Sequence, residues 1–258
     1  MLRKRIIFTL IYADCYFNQS RNFRLQKVGN IDWLEQNYKF KEISYFLDEL
    51  IVINATRNNK EINSFSKELK KITNSVFIPI TAGGGINSID DAKLLFNSGA
   101  DKLILNSILH TRPDLVKDLV KQYGSQSLVA SIDYRKLDGT IAAFTNDGTE
   151  KIDMNIVDYL KYVENLDIGE IYLNSIDRDG TGFGYDFSTI DDLANQLKKP
   201  LIIAGGAGNA DHLIQGLKRE KVDAVATANL FNFIGDGLVN AREEIISKNL
   251  NIAKWGKR

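Results

Sequence analysis

"IPITAGGGINSIDDAKLLFNSGADKLILNS", residues 78–107, and "KPLIIAGGAGNADHLIQGLKREKVDAVATAN", residues 199–229, are two versions of one pattern. In each, a short β-branched run ends in a glycine pair, an amphipathic stretch follows, and a second apolar run closes the unit. The alignment sets Gly84 and Gly85 opposite Gly205 and Gly206. The same offset sets Glu49 opposite Glu170, and a neighbouring offset sets Ile11 opposite Asp133. A strand–helix–strand unit that occurs twice at a fixed spacing indicates a duplicated architecture.

Working outward, eight short runs keep the same rhythm: residues 5–11, 48–54, 76–82, 101–106, 127–133, 169–175, 200–205 and 223–228. Stretches with helical spacing, such as "SIDDAKLLFNSG" and "RPDLVKDLVKQYG", lie between most of them. Strands alternating with helices predict a parallel α/β sheet, and runs that are apolar almost throughout predict that both faces are covered. Eight is the number of strands that closes a (β/α)8 TIM barrel. The doubly wound alternative is weakened because no G-x-G-x-x-G follows the first run. With three prolines and no Pro-, Gly- or Ser-rich linker, the chain reads as a single domain over residues 1–258, built from half-barrels of about 1–122 and 123–245.

Thirty-three Lys plus Arg balance thirty-three Asp plus Glu, so no net field favours nucleic acid or an anionic membrane. Any anion has to be held locally. The single cysteine, Cys15, excludes an internal disulfide, and with only His110 and His212 no His/Cys zinc cluster can be assembled. No metal or other cofactor is expected. The start "MLRKRIIFTLIYADC" makes a poor secretory signal, with a short apolar run and an acid directly before the cysteine. Residues 5–11 are instead read as a buried first strand of a cytoplasmic protein.

Each glycine pair sits at a strand C-terminus just before a helix, where backbone N–H groups and the helix N-terminus can meet an anion. Asn106–Ser107 end the fourth run and Ala228–Asn229 the eighth, adding a small polar neighbour to each turn. Glycines also make tight turns with no ligand at all. Two such loops in repeat-related places favour phosphate, and on opposite sides of one barrel mouth they suit an elongated ligand with a phosphate at each end.

Five segments, "NSIDRDGTGFGYD" (174–186), "TAGGGI" (81–86), "GADK" (99–102), "YGSQ" (123–126) and "AGGAGN" (204–209), together resemble the cyclase subunit of imidazole glycerol phosphate synthase, the HisF family. The similarity runs from Met1 to about residue 235. It implies a barrel working with a glutaminase (HisH-like) subunit: ammonia enters at the N-terminal face and reacts at the C-terminal face with a ribulosyl aminoimidazole carboxamide carrying two phosphates. It implies a charged ammonia gate at Arg5, Glu49, Lys102 and Glu170, with Asp101 facing the glutaminase. Asn174, Asp179 and Gly180, in the longest matching segment, join the glycine turns as substrate-binding residues.

The resemblance also implies two catalytic aspartates, ending strands 1 and 5. Asp133 fills the second position, while the first is Ile11, which cannot transfer a proton; Asp14, three residues on, is the candidate helper. Gln19 stands for a loop lysine, Asn54 for a strand 2 aspartate, Ala204 and Asn229 for phosphate-site serines, and Asn174 for a threonine. The aromatic stretch 22–46 is poorly matched and suggests a remodelled surface near the mouth, or else a helical layer capping the barrel. Family members with such a mouth resemble those tied to amidination of surface-polysaccharide sugars, where a third, sugar-modifying amidotransferase partner receives the ammonia. That is the leading expectation. The rivals are a genuine cyclase of histidine biosynthesis, a non-catalytic ammonia conduit or scaffold, and a different phosphosugar enzyme.

Overall fold

The computed structural model describes residues 3–43, 45–58 and 60–254, without the side chains of Phe40 and Lys41. The expected single domain therefore extends at both ends, at Met1 and Leu2 and at 255–258, outside the described residues, as does Ser44 of the aromatic stretch. Strand β1 (Arg5–Ala13) leads into a hairpin, β2 (Tyr16–Arg21) and β3 (Arg24–Gly29), then α1 (Ile31–Tyr38) and α2 (Phe40–Ile43). Alternation follows: β4 (Glu49–Asn54), α3 (Ile62–Ser75), β5 (Ile80–Gly83), α4 (Ile89–Asn97), β6 (Lys102–Leu105), α5 (Ser107–Thr111) and α6 (Pro113–Tyr123). The second part holds β7 (Leu128–Leu137), β8 (Thr140–Thr145), β9 (Glu150–Lys151), α7 (Ile156–Glu164), β10 (Glu170–Ser175) and α8 (Phe187–Ala194). It ends with β11 (Leu201–Ala204), α9 (Ala210–Leu217), β12 (Ala224–Thr227) and α10 (Gly237–Ser247).

Parallel pairing runs β1, β4, β5, β6, β7, β10, β11, β12, and β12 pairs back onto β1 with Arg5 opposite Ala224. The sheet therefore closes as a (β/α)8 barrel, and each of the eight runs read from the sequence overlaps one of its strands. Short caps start the helices: Asn30, Ser88, Asn155 and Asn209 accept hydrogen bonds from the backbone N–H groups of Trp33, Asp91, Val157 and His212. Outward-facing strand residues such as Phe8, Leu50 and Leu173 are buried against the apolar stripes of the helices. Inward-facing Ile7, Ile51, Val129, Ile202 and Ala224 form a separate apolar layer inside the barrel. Above that layer, the Thr9 and Tyr172 hydroxyls lie 3.4 Å apart.

Strand starts are pinned by a repeated device. Asp48 accepts from Ile6 N at 2.8 Å, Asp101 from Ile80 N at 2.8 Å and Asp223 from Leu201 N at 2.9 Å. Each carboxylate satisfies an N–H that the neighbouring strand cannot reach. Among the described residues no helix is long and apolar enough to cross a membrane.

The stretch 22–46 differs from its first reading. Its aromatic residues divide: Tyr38 is buried, with its ring 5.6 Å from Phe8 and 6.2 Å from the half-buried Trp33, whereas Tyr45 is 56% exposed. Only its start belongs to the mouth, because the β2–β3 hairpin reaches across to the loop after β10, where Asn22 N donates to Asp179 O at 3.0 Å.

Candidate functional site

The C-terminal ends of the barrel strands surround a cavity of about 340 Å³. Its floor is set by Thr9, Ile104, Tyr172 and Ala226 and its rim by the loops that follow the strands. Both glycine turns open onto it. Gly84 and Gly85 have φ of +93° and +90°, and Gly205 and Gly206 have φ of +89° and +106°, so the repeat extends to backbone conformation. The turns are also tightly packed: a β-carbon on Gly84 would stand 2.2 Å from Asn54 O, and one on Gly206 would stand 2.1 Å from Gly184 O. Packing alone therefore demands glycine here, whatever else the backbone N–H groups do.

Asp133, at the mouth end of β7, is buried and held from two sides. Asn106 Nδ2 donates to its Oδ2 at 3.1 Å and Asn174 Nδ2 to its Oδ1 at 2.9 Å. Asn106 Nδ2 also donates to Ser131 O at 2.9 Å, and Thr145 Oγ1 lies 3.3 Å from its Oδ1. Burial pushes the Asp133 carboxyl from the ordinary 3.8 up to about 7; the donation from Asn174 opposes the shift, Asp179 and Asp147 add to it, and Lys60 opposes it. A carboxyl poised near neutrality can take or give a proton. Ile11 lines the same cavity from β1, opposite Ile53 of β4, and contributes only apolar surface.

At the other end of the barrel, four charges close a ring. Arg5 Nη1 lies 2.9 Å from Glu49 Oε2 and its Nη2 3.1 Å from Glu170 Oε2. Lys102 Nζ lies 3.2 Å from each of the same two carboxylates. Glu49 is buried and also accepts from Thr81 Oγ1 at 2.5 Å. Each cation thus bridges both acids, so the desolvation of the buried Glu49 is offset by two cations and the Thr81 hydroxyl at once.

Residues 22–235 match the histidine biosynthesis protein family. "Putative imidazole glycerol phosphate synthase subunit hisF2" of Parasynechococcus marenigrum is 44% identical over 99% of this chain and 95% of its own. The imidazole glycerol phosphate synthase subunit HisF of Chlorobium limicola is 36% identical over 90% of this chain and 92% of its own. That of Chlorobaculum tepidum is 33% identical over 98% and 99%. The chain belongs to the HisF family of histidine biosynthesis proteins.

In this HisF-family barrel the expected site residues take up distinct positions. Gly84, Gly85, Asn106, Ser107, Asn174, Asp179, Gly180, Gly205, Gly206, Ala228 and Asn229 all line the cavity. Asn106 divides its amide N–H groups between Asp133 and Ser131 O, and Asn174 gives one of its own to Asp133. Asp179, itself an acid, accepts from Ser20 Oγ at 2.5 Å and Phe23 N at 3.0 Å, so it latches the hairpin across the mouth. Asp14 is exposed in the β1–β2 turn with φ +50° and does not line the cavity that holds Asp133. Gln19 ties the hairpin to the loop after β12, accepting from Leu230 N at 2.8 Å. Asp101 is exposed beside the charged ring. Among the described residues no group of three or more His, Cys, Asp or Glu side chains is placed to hold a metal ion.

Three charged residues of the cavity escaped the sequence reading. Arg57 and Lys60, both from the loop between β4 and α3, are the only cations lining the cavity among the described residues. Asp147, in the turn between β8 and β9, lies 3.0 Å from Lys60 Nζ. The signal was available: two cations close together in a loop following a barrel strand belong on the face where such loops gather.

The packing makes a stability prediction. Gly84→Ala is expected to lower the unfolding free energy by ~1–3 kcal/mol, through its left-handed conformation and the collision with Asn54 O. Gly139, at φ +77° with nothing within 4 Å, is the control, and its alanine variant is expected to lose clearly less in parallel urea titrations.

Proposed function

We propose that this HisF-family barrel is the acceptor-side subunit of a glutamine amidotransferase complex. A glutaminase (HisH-like) subunit docks on the N-terminal face near Asp101, ammonia passes the ring of Arg5, Glu49, Lys102 and Glu170, and the mouth presents it to a phosphorylated ligand held by the glycine turns. The acceptor chemistry serves amidination of a surface-polysaccharide sugar through a third, sugar-modifying partner, rather than ordinary imidazole formation. One observation carries the reading: the charged ring is complete, with both cations bonded to both carboxylates, whereas the mouth sets Asp133 in a cavity whose β1 end is Ile11. General acid and base work at two points of a ring closure needs two groups that exchange protons, and an isoleucine supplies none.

The test is ammonia-dependent cyclisation of the ribulosyl aminoimidazole carboxamide bis-phosphate, with the unmodified protein and with Ile11→Asp. The expected result is little turnover by the unmodified protein and a rise with Ile11→Asp, up to the ~10²–10⁴-fold that a positioned acid or base contributes. Robust turnover by the unmodified protein would return it to the cyclases of histidine biosynthesis.

A further inference from the structure

The two glycine turns match in conformation, but only the first has a cation that lines the cavity. Both cations that line the cavity, Arg57 and Lys60, stand on the loop between β4 and α3, beside the Gly84–Gly85 turn. At the other turn the cationic stem is that of Arg178, whose Cβ would lie 3.2 Å from a β-carbon on Gly206, but Arg178 does not line the cavity. Arg57 is engaged with the hairpin, donating from Nη2 to Phe23 O at 2.5 Å. Lys60 is differently placed. Its stem lies on the turn itself: a β-carbon on Gly85 would come 3.0 Å from Lys60 Cβ and 3.9 Å from its Cδ. Its ammonium is 3.0 Å from Asp147, and the pair is partly solvated, with side-chain exposures of 27% and 21%. The turn that carries Asp147 also reaches the polar end of β6, where Asn146 N donates to Ser107 Oγ at 3.3 Å. Lys60, Gly85, Ser107 and Asp147 therefore converge on one corner of the mouth.

We propose that Lys60 is the counter-charge for a phosphate monoester dianion at the Gly84–Gly85 turn, with Asp147 holding the ammonium ready until the dianion arrives. The opposite end then receives a neutral polar group, so the ligand carries its phosphate at one end only. The inference rests on the reading of the mouth as a phosphate-binding site and narrows it to a ligand class. The physical ground is that a dianion carries more charge than a carboxylate and takes a lysine from it when backbone N–H donors hold its other oxygens. Water still reaches both partners, at 27% and 21% exposure, so the ammonium can be exchanged from Asp147 to the dianion without first uncovering a fully buried pair. Asp147 is at once the holder of Lys60 and a repulsive neighbour of the anion.

The opposite signs expected of two variants make the test. Inorganic phosphate is titrated into the full-length ¹⁵N-labelled protein, and the amide signals of Gly84, Gly85, Gly205 and Gly206 are followed. The first pair is expected to shift at lower phosphate concentration than the second. Lys60→Met is expected to raise the phosphate Kd at Gly84 and Gly85 roughly tenfold, and Asp147→Asn to lower it roughly threefold, because it releases Lys60 and removes the repulsion. A clasp that only braces two loops would make both variants bind phosphate alike or both bind it worse, and either result overturns the proposal. Equal or tighter binding at Gly205 and Gly206 overturns it while leaving a phosphate-lined mouth intact. No shift at any of the four glycines would remove both this inference and the phosphate reading beneath it.

Discussion

Asp133→Asn is expected to lower ammonia-dependent turnover at the mouth by ~10²–10⁴-fold, while phosphate binding at the glycine turns and stimulation of a bound glutaminase persist. The asparagine keeps the size of the side chain and one of its acceptors, so Asn106 or Asn174 retains a partner, but it exchanges no proton. Full activity in the variant would instead make the barrel a conduit. The carboxyl also leaves a trace in stability. Burial raises it from 3.8 to about 7 in the folded chain, so between those values the folded state holds a proton that the unfolded state has released. Stability therefore falls as the pH rises from about 4 to about 7 and levels off above. In the variant that loss is absent, and its stability relative to the parent rises across the same window, by on the order of a few kcal/mol at most. Urea unfolding from pH 4 to 8 checks the sign. A carboxylate that served only as a structural acceptor would give the opposite result, a variant less stable at neutral pH and undiminished in rate.

What the sequence reveals and what it withholds divide along contact range. The eight barrel strands are legible because each is a short, largely apolar run and most end at or beside a glycine, an asparagine or an aspartate, and strand and helix periods are local properties. The glycine turns gain weight because the repeat shows them twice. The β2–β3 hairpin is harder: "YFNQSR" and "RLQKVG" are polar strands, the first burying Phe17, Asn18 and Ser20 without a strict period of two and the second burying none of its residues, so no alternation announces them. Trp33 and Tyr38 mislead in the other direction, since an aromatic cluster in a poorly matched segment reads as surface until its packing on Phe8 is visible. The clamp on Asp133 joins residues 27 and 41 positions away, and Lys60 meets Asp147 across 87 positions. Nothing local in either sequence neighbourhood encodes those meetings. They follow from barrel closure, which brings every loop after a strand to one face. The same closure explains why Asp14, only three residues beyond Ile11, is no substitute for it: the β1–β2 turn carries it past the rim into solvent.

Arg242→Met is expected to destabilise the fold by ~3–5 kcal/mol, a Tm decrease of roughly 6–20 °C for a chain of this size. Arg242 lies on α10 with 2% exposure, and its guanidinium grips Asp48 with both ends: Nη1 to Oδ2 at 3.0 Å and Nη2 to Oδ1 at 2.9 Å. It also donates to Phe46 O at 3.2 Å and Ala253 O at 2.5 Å. Methionine fills much of the same space, so the loss measures Asp48 left as a buried, half-satisfied charge rather than a void. Adding Asp48→Asn should restore part of the stability, because the stranded charge is gone while an acceptor for Ile6 N remains; a double-mutant cycle reads that coupling directly. A loss below ~1 kcal/mol in the single variant would mean that water reaches Asp48. The site is 194 residues apart in sequence and adjoins the charged ring, since Asp48 immediately precedes Glu49. A chain loosened there relaxes the start of β4, and with it the carboxylate that both Arg5 and Lys102 share, so ammonia transfer should weaken in this variant at temperatures where the barrel is still folded.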